Sequence, residues 1–261
     1  QATSEGDFSS SSNATKLEFM TGSSEAAATK MTISSAGLVG INTAANSSYY
    51  YNDLVVNSGD EGGITILDTS SGQSALAFAD GTSGTARYMG RVLYNHNTNT
   101  MEIGAGGSTD LKIDGDNHMK NAAQPAFYVK PSSAQNNIAS GGWVTVVFGT
   151  EVFDQNSDFA SNVFTAPKTG RYLLSAWVYM HNVDSAANSY EVQITTSNRN
   201  QGIYTIDPGV WSGDSPYYGK GATMLADMDA SDTASVRVYQ DAGSDQTDIN
   251  ATSYFSGVLI C

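Results

Sequence analysis

The sequence predicts an all-β protein, and three features of its composition and patterning support this fold class. Its 261 residues include 26 glycines and many Ser, Thr and Asn residues, which suit turns between short strands. Only 15% of the residues are charged, so the Glu, Lys and Arg residues that favour long helices are scarce. The apolar runs are short, rich in aromatic and β-branched residues, and bounded by turn residues, which is typical of strands.

The charge and the cysteine content exclude several classes of function. A net charge of −14 repels phosphate backbones, so we expect no nucleic-acid partner. No apolar run approaches the ~18 residues of a membrane-spanning helix, so we expect no membrane insertion. Cys261 is the only cysteine, which rules out an intrachain disulfide and a cysteine-based zinc site. The absence of an initiator methionine indicates a fragment or a processed chain.

The chain divides into three predicted regions. Residues 1–15 are polar and Ser-rich and are predicted to form a flexible linker. Residues 16–122 contain two copies of a strand, loop, strand, turn, strand pattern, at 16–42 and 100–121. The copies align Leu17 with Met101, Phe19 with Ile103, Met31 with Leu111, Ile33 with Ile113, and the turn SSAG with DGDN. This region has too few large apolar residues for a monomeric core, so its strands must associate with other chains.

Residues 123–261 carry longer and more apolar strand signals, whose spacing predicts a β-sandwich or jelly roll. The run 171–180 has apolar residues on both faces of its predicted strand. Tyr172, Leu174, Ala176, Val178 and Met180 share one face, and Leu173, Ser175, Trp177 and Tyr179 share the other. One face can be covered by the second sheet of the sandwich, and the other by another copy of the same chain.

The aromatic residues of this last region carry a resemblance to a known family. The order Phe148, Asp154, Phe159, Phe164, Gly170 and Tyr172, with "PAFYV" before it and "YFSGVLI" after it, resembles the globular head domain of the first complement component. That head belongs to the jelly-roll superfamily shared with tumour necrosis factor. Here Leu174 and Ala176 stand where the family has aromatics, and the spacing from Phe159 to Phe164 is shorter. The resemblance implies a homotrimer of jelly-roll knobs.

The repeat region resembles a different group of proteins. "ATKMTISSAGLVGIN" is similar to the R-I-x-x-x-G-x-V-G-I repeats of phage tail fibres, and "RVLYNHNTNTMEIGAGGSTDLKIDGDN" is similar to a companion segment. The resemblance implies a trimeric fibre shaft (16–122) ending in a knob (123–261), located extracellularly in the virion. The implied partners are other virion tail proteins and a bacterial cell-surface receptor, either a glycan or a protein.

Motifs for chemistry are scarce, so we expect no cofactor and no metal. The histidines, His96, His118 and His181, do not have a metal-ligand spacing. "GDSPYYGKG" differs from a phosphate-binding loop in spacing and lacks Ser or Thr after Lys220. "DMDASD" and "DGDN" offer oxygen ligands for calcium but lack a complete calcium loop, so both are interpreted as solvated turns.

The best candidate for a binding site is a group of aromatics in a segment rich in Gly, Pro and Asp. Because Gly202, Pro208, Gly209, Gly213 and Pro216 interrupt regular structure, residues 204–220 are predicted to be a loop. Exposed aromatic rings beside Asp and Asn suit receptor or glycan binding, while inward-facing rings would only cap the sandwich or the trimer axis. The candidate residues are Tyr204, Trp211, Tyr217 and Tyr218.

The sequence therefore favours a non-catalytic receptor-binding fibre that attaches a tailed phage to a bacterial surface. The first alternative is an enzyme, a fibre-borne polysaccharide depolymerase, for which Asp207 and Asp214 are the candidate carboxylates. The second alternative is a bacterial surface adhesin with the same knob. The lack of a catalytic constellation favours binding, and the shaft-like repeats favour the virus.

Overall fold

The computed structural model describes residues 1–45 and 47–261, while the side chains of residues 200–203 fall outside the description. The all-β prediction is confirmed, since the only helices among these residues are 3-10 turns at Gly84–Tyr88 and Pro208–Val210. No helix in the described ranges has both the length and the apolar character needed to cross a bilayer. The chain forms two compact units, Gln1–Asp68 and Thr69–Cys261, so the division falls inside the region predicted as a shaft.

The first unit is a single five-stranded sheet. It is antiparallel except between its last two strands, which are parallel. The first strand lies within the predicted linker, because the chain turns back and Ala2–Ser4 pairs with residues 15–17. The linker prediction is therefore wrong for these three residues. The strands, in sheet order, are β1 (Ala2–Ser4), β2 (Thr15–Thr21), β3 (Ala28–Ile33), β4 (Val39–Ile41) and β5 (Leu54–Val56).

The second unit begins with another five-stranded sheet, which is antiparallel throughout. Each strand pairs with the next one along the chain, so the sheet is a simple meander. Its strands are β6 (Gln73–Phe78), β7 (Gly90–Asn95), β8 (Thr100–Gly104), β9 (Leu111–Ile113) and β10 (Met119–Lys120).

The two segments predicted to repeat, β2–β3–β4 and β8–β9–β10, share strand order and side-chain contacts. In the first copy Thr29 donates a hydrogen bond to Glu18 (3.3 Å), and in the second Thr109 donates to Glu102 (3.0 Å). Each glutamate also pairs with a lysine, at 3.1 Å and 3.0 Å. The two copies thus place an equivalent pair of Glu and Thr in contact in a polar cluster, while the lysine comes from β2 in the first copy and from β9 in the second.

The turns of the two copies are equivalent as well. The side chain of Ser34 accepts a hydrogen bond from the backbone of Leu38 (3.1 Å), as Asp114 does from His118 (3.0 Å). The fourth turn residue has a positive φ in both copies, supplied by glycine at position 37 (81°) and by Asn117 (67°). Glycine and asparagine are the residues that adopt this conformation at least cost.

The face opposite each polar cluster is apolar and open to solvent in the single chain. Residues that pair directly across an antiparallel ladder lie on the same face, so the registers identify each set. In the first sheet the face carries Leu17, Phe19, Met31, Ile33, Ile41, Leu54 and Val56. In the second sheet it carries Leu76, Phe78, Val92, Met101, Ile103, Leu111, Ile113 and Met119. Both faces have the apolar character of a surface that is covered by another layer.

The rest of the second unit is a sandwich of two six-stranded sheets. The first contains β13 (Thr150–Asp154), β11 (Ala126–Lys130), β22 (Tyr254–Leu259), β16 (Gly170–Val183) and β19 (Ser215–Met228), in that order, with β21 (Asp248–Ile249) beside β16. The second contains β14 (Phe159–Ala160), β15 (Val163–Thr165), β20 (Thr233–Asp241), β17 (Ser189–Thr196) and β18 (Asn200–Ile206), in that order, with β12 (Trp143–Thr145) beside β20.

The strand order identifies this sandwich as a jelly roll. Its eight main strands, in chain order, are β11, β15, β16, β17, β18, β19, β20 and β22. The first, eighth, third and sixth of them form one sheet, and the second, seventh, fourth and fifth form the other. This is the arrangement produced when a long hairpin of paired strands rolls into two facing sheets. The predicted knob fold is therefore confirmed by the connections alone.

The core between the sheets is centred on a cluster of aromatic rings. Phe127 stacks on Phe164 at 4.6 Å and meets Phe255 edge-on at 5.0 Å. Phe148 and Phe159 join the same cluster. Four of the six residues that carried the family resemblance lie in it or against it, since Tyr172 also packs on Phe164. The spacing of aromatics in the sequence thus reflects one buried cluster.

β16 has the two faces that its alternation predicted, and in the single chain one is buried and the other is exposed. Leu174 is 0% exposed and faces the core, whereas Leu173 is 40% exposed and lies on the outer surface of the sheet. Trp177, Leu225 and Phe153 are exposed on this same outer surface, which we call the outer face. Because this outer face is apolar, it has the character of a surface that is covered by another layer, as the inner face is by the second sheet.

The loops lie at two ends of the jelly roll. The chain enters at Pro125, whose carbonyl accepts a hydrogen bond from Leu259 at the end of β22 (3.0 Å). The opposite end, which we call the distal end, is formed by the loops 184–188, 207–214 and 242–247. No chain connection to the repeat sheet leaves from that end, since β11 begins and β22 ends at the other.

Candidate functional site

The four aromatic residues predicted to bind a receptor lie near the distal end, but three of them are on strands. Tyr204 is on β18, and Tyr217 and Tyr218 are on β19. Only Trp211 lies in the connecting loop, directly after the 3-10 turn Pro208–Val210. The predicted loop at 204–220 is therefore wrong at both ends, and the connection covers residues 207–214.

β19 tolerates the residues that suggested a loop because of its position and its neighbours. It is an edge strand of its sheet, where a proline need not donate to a ladder, so Pro216 is accommodated. Gly219 and Gly221 lie under the indole ring of Trp177 on β16. A Cβ at position 219 would come within 2.2 Å of that ring. These glycines make room for an aromatic side chain across the ladder.

Three of the candidate rings lie on the inner side of the sandwich, against its core. Trp211 packs against Tyr218 with centroids 5.1 Å apart, and the ammonium of Lys220 lies 5.4 Å from the centre of the Tyr204 ring. All three rings are partly buried against the sandwich core. They cover the end of the core while leaving part of each ring accessible.

Tyr217 belongs to a different group on the outer face, because consecutive residues of a strand point to opposite sides. It is 59% exposed and stacks on Tyr179 at 6.1 Å with ring planes 8° apart. His181 meets its ring edge-on at 4.9 Å. The structure therefore does not bring the four candidate residues into a single site.

A cleft of about 460 Å³ opens at the distal end, and sequence analysis did not identify it. It lies where the loops after β16, β18 and β20 meet the long loop after β11. We call it the distal cleft. Its polar lining residues are Asn137, Asn182, Asp184, Asp214, Asp245 and Gln246, with Ser215 and Pro216 completing the wall. Because these residues come from four separate segments, no local pattern in the sequence marks them.

Asp184 is the fixed centre of the cleft wall. Its side chain is almost fully buried (1% exposed), and its carboxylate accepts hydrogen bonds from the backbone of Asp245 (2.9 Å), Ala186 (2.7 Å) and Ser244. These bonds, led by that of Asp245, lower the pKa of Asp184 below its ordinary value and outweigh the opposing effect of burial. The carboxylate therefore ties the loop 242–247 to the loop 184–188.

Asp214, from the loop after β18, also lines the cleft. Its Oδ1 accepts hydrogen bonds from both the hydroxyl and the backbone of Ser185, at 2.7 and 2.9 Å. The hydroxyl bond is the main cause of a lowered pKa for Asp214, and the backbone bond adds to it. Asp207, the other candidate carboxylate for hydrolysis, instead caps the 3-10 turn by accepting from the backbone of Gly209 (2.9 Å).

The two sequence segments with calcium-like oxygen ligands form tight turns. In the segment 114–117, Asp114 accepts backbone hydrogen bonds and lies 2.7 Å from the ammonium of Lys120, which lowers its pKa. Asp114, Asp116 and His118 bring three possible ligand atoms within 4.8 Å of one another. Near Asp229, the side chain of Asp232 accepts from the Asp229 backbone (2.6 Å) and from Ser197 (2.7 Å).

The three histidines lie at different places and have different partners. His96 lies 3.1 Å from the hydroxyl of Ser74, His118 lies 3.4 Å from Asp114, and His181 lies 3.1 Å from the amide of Asn250. The first two are in the second repeat sheet, and the third is on the outer face of the jelly roll.

Comparisons with known proteins give weak likenesses in fold. No family model matches the sequence, and no curated protein matches it. Among solved structures, the globular domain of zebrafish complement 1qA protein is 16% identical, with a TM-score of 0.38, over 53% of this chain and 98% of that one. A structure of murine APRIL at pH 8.0 is 13% identical, with a TM-score of 0.39, over 52% of this chain and 99% of that one. The jelly-roll assignment rests on the strand order described above.

Proposed function

We propose that this chain is a homotrimeric, non-catalytic receptor-binding protein of a phage tail fibre, which attaches the virion to a bacterial surface. The observation that carries the proposal is the open apolar face on each of three sheets. An exposed sheet face of this kind is stabilised when another layer covers it, and identical chains supply identical layers. Other virion tail proteins would hold the fibre at the end opposite the knob.

The difference between the repeat region and the jelly roll supports a fibre. The two repeat copies are short hairpin units that expose one apolar face each, so a shaft at 16–122 is completed by association of several chains. The jelly roll at 123–261 carries its own buried core and one extra apolar face. A shaft that needs partners followed by a knob that folds around its own core is the arrangement expected of a trimeric fibre.

Attachment is assigned to the distal end of the knob, with Tyr204, Trp211, Tyr217 and Tyr218 as candidate contact residues. Loops on a rigid sandwich are the usual location of binding residues, and aromatic rings supply contact area at a low entropic cost. Three copies around one axis increase the apparent affinity for a surface that carries many receptors.

Light scattering under native conditions tests the assembly. We expect the mass of three chains at micromolar concentration, because a monomer would leave the apolar faces in water. A folded monomer that is stable at that concentration would contradict the proposal at its base.

Cell binding by the double variant Trp211→Ala with Tyr217→Ala tests the contact residues. We expect loss of binding to susceptible bacterial cells, with the trimer mass and the melting temperature nearly unchanged. Binding at the wild-type level would place the contact elsewhere, and unfolding of the variant would show that the rings are structural. Loss of the trimer without unfolding would assign Tyr217, which lies on the outer face, to the contact between copies.

Release of reducing ends from capsular or lipopolysaccharide glycans distinguishes binding from depolymerisation. We expect none above the level set by a protein-free control. Release exceeding one bond per chain would establish the alternative enzyme, and loss of that release in Asp207→Asn or Asp214→Asn would identify its carboxylates.

A further inference from the structure

We propose that the distal cleft binds one or two sugar units of a neutral, hydroxyl-rich glycan, with Asp214, Asn182 and Gln246 as the contact residues. This inference rests on the proposed attachment function and names the chemical class of its receptor. The cleft volume of about 460 Å³ falls within the roughly 300–1,000 Å³ typical of small-ligand sites.

The walls of the cleft are fixed before any ligand arrives. The carboxylate of Asp184 joins two loops, as described above, and Asp248 joins two more segments. One oxygen of Asp248 accepts from the backbone of Asn137 (2.7 Å), and the other accepts from the side-chain amide of Asn182 (2.9 Å). A site held by such bonds loses little conformational entropy when it binds.

The contact residues retain hydrogen-bonding capacity after these structural bonds are made. Asp214 uses Oδ1 for both bonds from Ser185, so Oδ2 is open to a ligand. The side chain of Asn182 donates through its Nδ2, which leaves its side-chain oxygen, Oδ1, as an acceptor. Gln246 is exposed at the rim and adds both a donor and an acceptor. Carboxylate and amide oxygens in one small cleft match the hydroxyl donors of a sugar.

The lining also excludes two other ligand classes. It contains three aspartates and no Lys, Arg or His, so a phosphate or an acidic sugar would meet only like charge. The carboxylates do not converge on a point, because in the described ranges only Asp114, Asp116 and His118 bring three ligand atoms within 4.8 Å of one another. A divalent cation needs such convergence, whereas hydroxyls on different carbons of a sugar ring do not.

The test measures saturation transfer by NMR from the whole protein to four neutral probes, namely glucose, galactose, mannose and N-acetylglucosamine. N-acetylneuraminic acid serves as the anionic probe. The variants are Asp214→Asn, which keeps an acceptor for Ser185, and Gln246→Ala, which removes a rim side chain without touching the loop bonds. Asp116→Asn, which removes an exposed charge in the second repeat, is the matched control.

We expect transfer to at least one neutral probe, no transfer to N-acetylneuraminic acid, and binding weakened about tenfold or more in Asp214→Asn, because a hydrogen bond to a charged group is lost. The control should bind as the wild type does. Absence of transfer to every neutral probe, or transfer that is equal in Gln246→Ala, Asp214→Asn and the control, overturns the inference. Calcium-induced shifts of the cleft resonances at submillimolar concentration, without any sugar binding, overturn it in favour of a cation site.

The outcome is separable from that of the attachment function. If the wild-type trimer binds bacterial cells but no neutral sugar, the proposed function stands and the cleft assignment is wrong. If the trimer binds a neutral sugar through the cleft but binds no cell in a strain panel, the cleft assignment stands and the proposed role in attachment is wrong.

Discussion

Gly257 illustrates how a single residue on β22 sets the packing of the jelly-roll core. A Cβ at this position would lie 2.5 Å from a ring carbon of Phe127 and 2.7 Å from a methyl carbon of Leu174. Both neighbours are fully buried and sit within a close-packed cluster, so neither can move away freely. The absence of a side chain is therefore part of the packing.

We expect Gly257→Ala to lower the free energy of unfolding by about 1–3 kcal/mol, the usual cost of overpacking a core. Urea denaturation of the purified protein measures the change. Gly142→Ala is the matched control, since a Cβ at position 142 would have no neighbour within 4 Å and its φ needs no glycine. Equal stabilities of the two variants would contradict the packing argument.

Asp184 links stability to pH. Its folded pKa lies below the unfolded value of about 3.9, so its contribution is present above that value and is lost as the pH falls through the folded pKa. In an asparagine variant an amide with a single oxygen acceptor replaces the carboxylate, so the backbone N–H groups that donate to Asp184 lose part of their hydrogen bonding. We expect Asp184→Asn to cost about 2 kcal/mol at pH 7.

The cost of Asp184→Asn should shrink as the pH falls below about 4 and through the folded pKa of Asp184, because the wild-type carboxylate then becomes protonated as well. Melting temperatures of the two proteins across this pH range give the measurement. A gap between them that stays constant down to the lowest pH would show that the charge of Asp184 is not what holds the loops.

β16 is the element that the sequence predicts best. The predicted strand at residues 171–180 lies within the observed Gly170–Val183. The alternation separates its two faces correctly but leaves open which one is buried, and the structure places Leu174 in the core and Leu173 on the outside. Alternation succeeds here because the strand is long and one of its faces is wholly apolar and buried. The repeat copies are predicted for a similar reason, since their apolar positions and turn residues recur at fixed spacing.

β16 also provides a pair of variants that separates folding from assembly. Leu174→Asp places an unpaired charge in the core and should unfold the knob. Leu173→Asp places the same charge on the outer face, so we expect a folded chain that no longer forms trimers. Circular dichroism reports the fold and light scattering the mass. A trimeric Leu173→Asp variant would show that the outer face is not the contact between copies.

β19 shows why composition alone misplaces an element. Pro216, Gly219 and Gly221 favour a loop when the segment is taken by itself. The open edge of the sheet and the ring of Trp177 reverse that preference, and both are tertiary facts that come from residues far away in the sequence. The distal cleft escapes prediction for the same reason, since Asp184 and Asp214 are brought together only by the closed sandwich.

At the scale of the whole molecule, the affinity of one knob for a sugar can be measured separately from the gain that comes from linking three knobs. A monomeric Leu173→Asp variant keeps the distal end intact and should bind a single sugar as the wild type does. Its binding to cells should fall by roughly 10²–10⁴-fold, because linked binding events become single ones. Surface plasmon resonance on immobilised cell-surface glycan, compared at high and low glycan density, measures the difference. Equal cell binding by monomer and trimer would show that a single knob accounts for attachment.

The close approach of Pro125 and Leu259 has a consequence for how such a protein can change. The strands that begin and end the jelly roll pair with each other and meet at one end, so the chain enters and leaves the jelly roll there and not at the distal loops. Loops at such sites tolerate insertions and substitutions. If the proposed attachment function holds, recognition of a new receptor could therefore arise by exchanging the segments 184–188, 207–214 and 242–247 while the core and its strands stay the same.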